Sequence, residues 1–329
     1  MILNVNNVDK VGFVDLEIDN NLNLPYEIEK LKKEKHAVIL AHYYQNPEIQ
    51  DIADFIGDSL ALSHKAANIE ADIIVFAGVH FMAETAKILS PLKKVLIPDK
   101  NAGCSLAESC DYEELKKFKL KYPNHVVVTY VNTTAKIKSI SDICCTSSNA
   151  VNVIKSIPKE KGIIFAPDRN LGNYLKTITE RENMVIWDGA CHVHEEFSLE
   201  EILKLKKEYP NSKLLAHPEC KRPILLIADF IGSTSEILNF SQKDTNDIYI
   251  VATESGIIHQ MKKANPQKVF LSPAPKATNC GCSECSFMKL ITLKKIYLTL
   301  KYELPEVIID EELINLAKVP ILRMLEISR

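Results

Sequence analysis

With 329 residues, 46% hydrophobic and 25% charged side chains and a formal net charge of -3, the chain reads as a globular protein with ample material for a core. Near balance of basic and acidic residues leaves no footprint for nucleic acid, apolar runs such as Ile224 to Ile227 are far too short to span a bilayer, and the polar stretch Met1 to Leu24 does not resemble a secretory signal, which points to a cytoplasmic protein. Nine cysteines, an odd count outside an oxidising compartment, read as metal ligands or catalytic thiols rather than disulfides.

In chain order, residues 1–25 form a leader ending at Pro25; Glu27 to Lys35 has helical charge spacing, and His36 to Ala41 is a short apolar strand that ends at His42. Asn46-Pro47 starts a helix, with asparagine as cap and proline in the first turn, and the apolar face Ile49, Ile52, Ala53 and Ile56 carries it to Gly57. Ser59 opens a second helix through Ala67. Strands follow at Asp72 to Ala77 and Lys94 to Ile97, the first leading through Gly78-Val79-His80 into a helix from Met82 to Leu89, the second into a loop ending at Cys104. The order returns twice. Strands at Val126 to Val131, Gly162 to Ala166 and Met184 to Trp187 lead to Cys191; strands at Lys213 to Ala216, Ile248 to Ala252 and Lys268 to Leu271 lead to Cys280, Cys282 and Cys285. Three strand-helix units per copy predict an α/β fold: three pseudo-symmetric three-layer αβα domains, each with a short parallel sheet. The domains run over residues 26–109, 110–195 and 196–285. Two C-terminal amphipathic helices within 286–329, Phe287 to Tyr302 and Glu311 to Ile327, interrupted near Pro305 and Pro320, are expected to pack back on the body.

The copies share residues as well as rhythm. Leu40-Ala41-His42-Tyr43-Tyr44 leads into Ala53-Asp54-Phe55-Ile56-Gly57-Asp58-Ser59, and Leu215-Ala216-His217-Pro218-Glu219 leads, at the same spacing, into Ala228-Asp229-Phe230-Ile231-Gly232-Ser233-Thr234. A more diverged middle copy puts Tyr130 where the histidines stand and Ser147 where Ser59 and Thr234 stand. A repeat this long suits a small α/β domain copied twice. Ligands of parallel sheets lie outside the carboxyl ends of the strands, where His42, Tyr130 and His217 fall, as do Cys104, Cys191 and one of the last three cysteines. Three such domains about a pseudo-threefold axis would deliver three thiolates to a central iron-sulfur site. That is too few for a closed structural zinc and one short of the usual cubane complement, which leaves an iron open for Lewis-acid chemistry.

At this point the chain is similar to the quinolinate synthases. The matching stretches are Ala41-His42-Tyr43-Tyr44-Gln45, Gly57-Asp58-Ser59-Leu60, Gly78 to Ala86, Pro98-Asp99 with Ala102-Gly103-Cys104-Ser105, Tyr130-Val131-Asn132, Cys145 to Ala150, Trp187 with Gly189, Cys191-His192-Val193-His194-Glu195, His217-Pro218-Glu219, and Ala252-Thr253-Glu254 with Gly256 and His259. The resemblance implies a triplicated α/β enzyme of NAD biosynthesis that condenses iminosuccinate with dihydroxyacetone phosphate to quinolinate, with iminosuccinate supplied by an aspartate-oxidising or aspartate-dehydrogenating enzyme. It implies a 4Fe-4S cluster on Cys104, Cys191 and Cys285, and substrate binding by His42, Ser59, Tyr130, Asn132, Ser147, His217, Glu219 and Thr234. Ser59, Ser147 and Thr234 are each read as beginning a helix, where free N–H groups attract anions. Glu219 with His217 is the candidate general acid or base, and Tyr44 a proton donor or orienter.

Blander readings stand beside these. Ser or Thr at a helix start is more often a cap than a ligand group, Cys110, Cys144, Cys145 and Cys220 read as small packed residues, and His80, Glu84 and Glu254 either reach the site or hold loops. The last cysteines read Cys-x-Cys-x-x-Cys, so Cys280 and Cys282 are thiols outside the cluster, a redox-responsive pair, or with Cys285 part of a zinc knot in a non-enzymatic binding protein. Within enzymes, the rival is an iron-sulfur hydro-lyase that shares the open cubane.

Overall fold

The structure, a computed structural model, describes residues 5–275 and 283–328. Cys280 and Cys282 lie outside the described residues. Twelve strands form three parallel sheets: β1 (Ala37–His42), β2 (Phe55–Gly57), β3 (Ile73–Ala77) and β4 (Lys94–Leu96); β5 (Val126–Tyr130), β6 (Ile143–Cys145), β7 (Ile163–Ala166) and β8 (Met184–Ile186); β9 (Lys213–Ala216), β10 (Phe230–Ile231), β11 (Ile248–Ala252) and β12 (Val269–Leu271). The strand orders are β2-β1-β3-β4, β6-β5-β7-β8 and β10-β9-β11-β12, one topology three times. Central strands such as β3 and β7 are buried along their whole length, as an apolar run covered by helices on both faces requires.

The chain divides into two compact units, Met1–Cys104 with Ser286–Lys318, and Ser105–Cys285 with Val319–Arg329. The first holds the first sheet, and its helices Leu24–Glu34 and Leu293–Tyr302 pack against each other. The second holds the other two sheets, with separate cores such as Leu115, Val127, Ile137 and Ile164 in one and Phe197, Ile202, Leu214 and Ile250 in the other.

Each sheet has four strands where three were expected. The missed ones, β2, β6 and β10, are edge strands of three, three and two residues, too short to display a period of two. The helix expected from Pro47 to Ile56 ends at Ile52, and Ala53 turns to extended backbone. The cause is an aspartate that recurs in every copy. Asp54 donates its N–H to the Ile39 carbonyl (3.0 Å) and accepts the Ile39 N–H on its carboxylate (2.7 Å). Asp142 does the same with Val127 (2.9 and 2.8 Å), and Asp229 with Leu214 (2.9 and 2.7 Å). A side chain that satisfies backbone in this way competes with helix continuation. The glycines that follow have a packing reason: a Cβ on Gly57 would lie 2.9 Å from that of Ala61, and one on Gly232 would lie 2.7 Å from the Phe230 ring.

Smaller corrections concern ends. Asn46 precedes the helix but makes no side-chain cap bond. Pro25 lies in the first turn of Leu24–Glu34 rather than closing a leader, and a helix Val5–Val11 precedes it. The segment from Phe287 is a short 3-10 turn, Met288–Leu290, followed by Leu293–Tyr302; Pro320 lies within the continuous helix Glu311–Ile327.

Candidate active site

In the first unit, β1 ends at His42, which is buried. Its Nδ1 accepts the backbone N–H of Tyr44 at 3.2 Å, so the ring carries its proton on Nε2. The Tyr44 ring meets it edge-on, 4.4 Å between centroids, and the Tyr44 carbonyl accepts from Lys289. Ser59 opens the helix Ser59–Ala67, but the cap is Asp58, which accepts the Ala61 N–H at 3.0 Å. The loop to half-buried Cys104 is fastened by Asp99, which accepts from Asn101 and pairs with Lys295. His80 and Glu84 are 3.9 Å apart on one helix face.

In the second unit, β9 ends next to His217, and the first copy's device returns: Nδ1 accepts the Glu219 N–H at 3.4 Å, while Nε2 lies 3.2 Å from Ser147 Oγ. Buried Glu219 is the hub. Tyr130, at the end of β5, donates its hydroxyl to Glu219 Oε1 at 2.6 Å. His194 Nδ1 lies 3.2 Å from Oε2, a close charge contact rather than an aligned hydrogen bond. The His194 ring stacks on His217 at 4.7 Å and places its Nε2 3.1 Å from Thr253 Oγ1. Asn170 donates to the Glu219 carbonyl at 3.0 Å.

Burial pushes the Glu219 pKa up, but the His194 and His217 imidazoles and the Tyr130 hydroxyl outweigh it and bring it down to about 2. Asp168, fully buried close by, moves the other way: burial and the Glu219 charge hold it well above the usual aspartate range. Two carboxyl groups in one dry pocket do not both ionise readily, and Glu219 is the one that stays anionic.

Tyr130, Ser147, His217 and Glu219 are therefore joined by direct contacts within one unit. Asn132 follows β5, and its Oδ1 is buried with no hydrogen-bond partner among the described residues. Thr234 opens the helix Thr234–Lys243, capped by Ser233 in a capping box. Ser147 does not begin a helix. It lies in a turn ahead of Ala150–Ser156, and its hydroxyl faces His217 instead. Sequence reading assigned no role to His194; the signal was its place three residues after Cys191, which puts both on one face of a helical turn.

The cysteines sort by environment. Cys110, Cys144, Cys145 and Cys220 are buried, and burial raises the pKa of each thiol, Cys110 to about 12. Since the thiolate is the ligand form, these four are poor metal ligands. Cys104, Cys191 and Cys285 are half-buried, each beyond the last strand of a sheet. Each of these three thiols is open enough to meet a metal, and thiolates are what the irons of an iron-sulfur cluster take. Cys191, His194 and Glu219 also form a group whose ligand atoms lie within 4.8 Å of one another and that could hold a metal ion.

The family model described as "NadA: Quinolinate synthetase A protein" matches residues 26–326. The chain belongs to this family. Among relatives named quinolinate synthase, that of Rippkaea orientalis is 58% identical over 92% of this chain and 92% of its own length. Those of Microcystis aeruginosa and Thermosynechococcus vestitus are each 55% identical, over 96% and 93% of this chain and 100% and 96% of their own. The chain is accordingly an enzyme, which displaces the non-enzymatic zinc protein and the hydro-lyase. No helix among the described residues is long and apolar enough to cross a membrane.

Proposed function

We propose that the enzyme condenses iminosuccinate with dihydroxyacetone phosphate, releasing phosphate and water, to form quinolinate for NAD biosynthesis in the cytoplasm. A 4Fe-4S cluster would be held by Cys104, Cys191 and Cys285, and Lewis acidity toward a substrate oxygen is the chemistry it supplies when bound. The observation that carries the reading is Glu219: a buried anion touched by Tyr130, His194 and His217 at the ends of parallel strands, in a chain whose relatives bear the name quinolinate synthase.

The substrates carry two carboxylates and a phosphate. His42 and His217, each with its proton directed to Nε2, are suited to donate to carboxylate oxygens. Ser59 and Thr234 open helices of nine and ten residues, whose free N–H groups favour anions. Glu219 accepts protons released as water is eliminated, and Tyr130 and His194, on its two oxygens, pass them on. Tyr44, whose N–H already orients His42, is the second proton donor. Asn132 would meet a substrate group with its unmatched oxygen. Iminosuccinate hydrolyses readily in water, so functional coupling to an aspartate-oxidising or aspartate-dehydrogenating enzyme is expected.

The test is metal analysis and turnover on anaerobically purified protein. About four irons and four sulfides per chain, lost on Cys104→Ser, Cys191→Ser or Cys285→Ser but kept in Cys110→Ser, together with quinolinate formed from both substrates, would bear the reading out. Zinc in place of iron, held by Cys191, His194 and Glu219 alone, would overturn the cluster.

A further inference from the structure

Two buried carboxylates occupy the same place in the second and third copies, and neither is used by the chemistry above. Strand β7 ends at Ala166 and is followed two residues later by Asp168; β11 ends at Ala252 and is followed two residues later by Glu254. Both are fully buried. Each divides its oxygens in the same way. Asp168 Oδ1 accepts the Leu171 N–H (2.7 Å), capping the helix Arg169–Ile178, while Oδ2 accepts the backbone N–H of Cys191 (3.3 Å). Glu254 Oε2 accepts the Gly256 N–H (2.7 Å) at the start of Ile257–Ala264, while Oε1 accepts the backbone N–H of Cys285 (3.1 Å). The side chains differ in length, yet the pair of bonds is the same. A helix cap alone needs only one oxygen; the second each time accepts the N–H of a half-buried cysteine. In the first copy the equivalent position is Val79, with no acceptor, and the Cys104 loop is fastened by Asp99 and by the His80 N–H on the Ala102 carbonyl (2.7 Å).

We infer that Asp168 and Glu254 are positioning residues for Cys191 and Cys285, each fixing with one carboxyl oxygen the backbone from which the thiol projects. The inference rests on the reading that these cysteines hold the cluster. A peptide N–H beside a ligating sulfur ordinarily donates toward the cluster and raises its potential; here two of those donors are taken up by carboxyl oxygens, which favours the oxidised form. Cys104 lacks the device, so the cysteines of the three copies are not equivalent.

The experiment uses the full chain, reconstituted anaerobically with iron and sulfide: Asp168→Ala, Asp168→Asn, Glu254→Ala and Glu254→Gln beside Cys191→Ser and Cys285→Ser. Iron content, the rate of iron loss to a chelator, the midpoint potential and the far-UV circular dichroism are measured. The alanine variants should lose iron about tenfold faster or more and rise in potential as the freed Cys191 or Cys285 N–H turns to the cluster, with the amide variants, which keep an acceptor oxygen, restored close to wild type in both. If the alanine variants fail to fold, Asp168→Leu and Glu254→Leu, which fill the space but accept no hydrogen bond, decide in their place: iron loss and potential unchanged from wild type overturn the inference. Folded alanine variants that keep iron as wild type does, while Cys191→Ser and Cys285→Ser are depleted, overturn it too and leave the ligand reading standing. Full iron in both serine variants removes the ligand reading itself.

Discussion

The ends of β1 and β9 are the same piece of backbone carrying different chemistry. In both, a histidine closes the strand and turns Nδ1 to the N–H of the residue two further on, which fixes the ring and leaves Nε2–H as the donor. That residue is Tyr44 in one and Glu219 in the other. The tyrosine lies edge-on against its own histidine, whereas the glutamate is buried and gathers Tyr130, His194 and His217 around it. Duplication has kept the device that orients the imidazole, because it is made by backbone and tolerates any residue except proline at the donor position. The position that supplies the N–H was left free to diverge, and the two copies carry different side chains there, a tyrosine and a buried glutamate.

Replacing each reactive group while leaving its N–H in place separates the two ends. Glu219→Gln keeps the bond to His217 and removes the anion, so turnover should fall by about 10³-fold with iron content unchanged; substantial activity in a quinolinate assay would remove Glu219 from the acid-base role. Tyr44→Phe also keeps its N–H on His42 and loses only a hydroxyl, and kcat should drop by about 10–100-fold with KM nearly constant. A large rise in KM instead would make Tyr44 a binding residue.

The middle copy has no histidine at this place, and its strand end is held differently. Fully buried Lys138 donates to the Val131 carbonyl at 2.8 Å and to that of Thr133, fastening the loop that carries Asn132. Lys138→Met should cost about 3 kcal/mol, because two buried carbonyls lose their donor; the denaturant midpoint measures it. The smallest effect lies far from any strand end. Lys35, followed by Lys94, hydrogen-bonds Glu303 and holds its pKa below the ordinary glutamate value. Its contribution is full above about pH 4.3 and is lost as pH falls through the lowered pKa. Glu303→Gln should therefore narrow the gap in thermal stability between pH 7 and pH 3, by less than about 1 kcal/mol for so exposed a pair.

The triplication, the parallel alternation of strand and helix and the cysteine beyond each sheet could be read directly, since apolar runs of four to six residues bounded by glycine and polar loops are local signals. The edge strands could not. Phe230–Ile231 has two residues, and only pairing with Leu215 and Ala216 makes it a strand. The recurring aspartate was visible three times as a letter, but its bonds to Ile39, Val127 and Leu214 depend on a neighbouring strand that local pattern does not reveal.

For the site, sequence alone determined which residues lie at strand ends, because the carboxyl end of a parallel strand is defined by the chain itself. The caps shifted by one residue, from Ser59 and Thr234 to Asp58 and Ser233, and Ser147 proved to face His217 rather than open a helix. Only the tertiary structure decided that His194 stacks on His217, that Glu219 draws its partners from two different sheets, and that Asp168 and Glu254 reach back to Cys191 and Cys285. Those contacts join segments 23 to 89 residues apart, and their energetics depend on burial, which no stretch of chain possesses until its neighbours have closed over it.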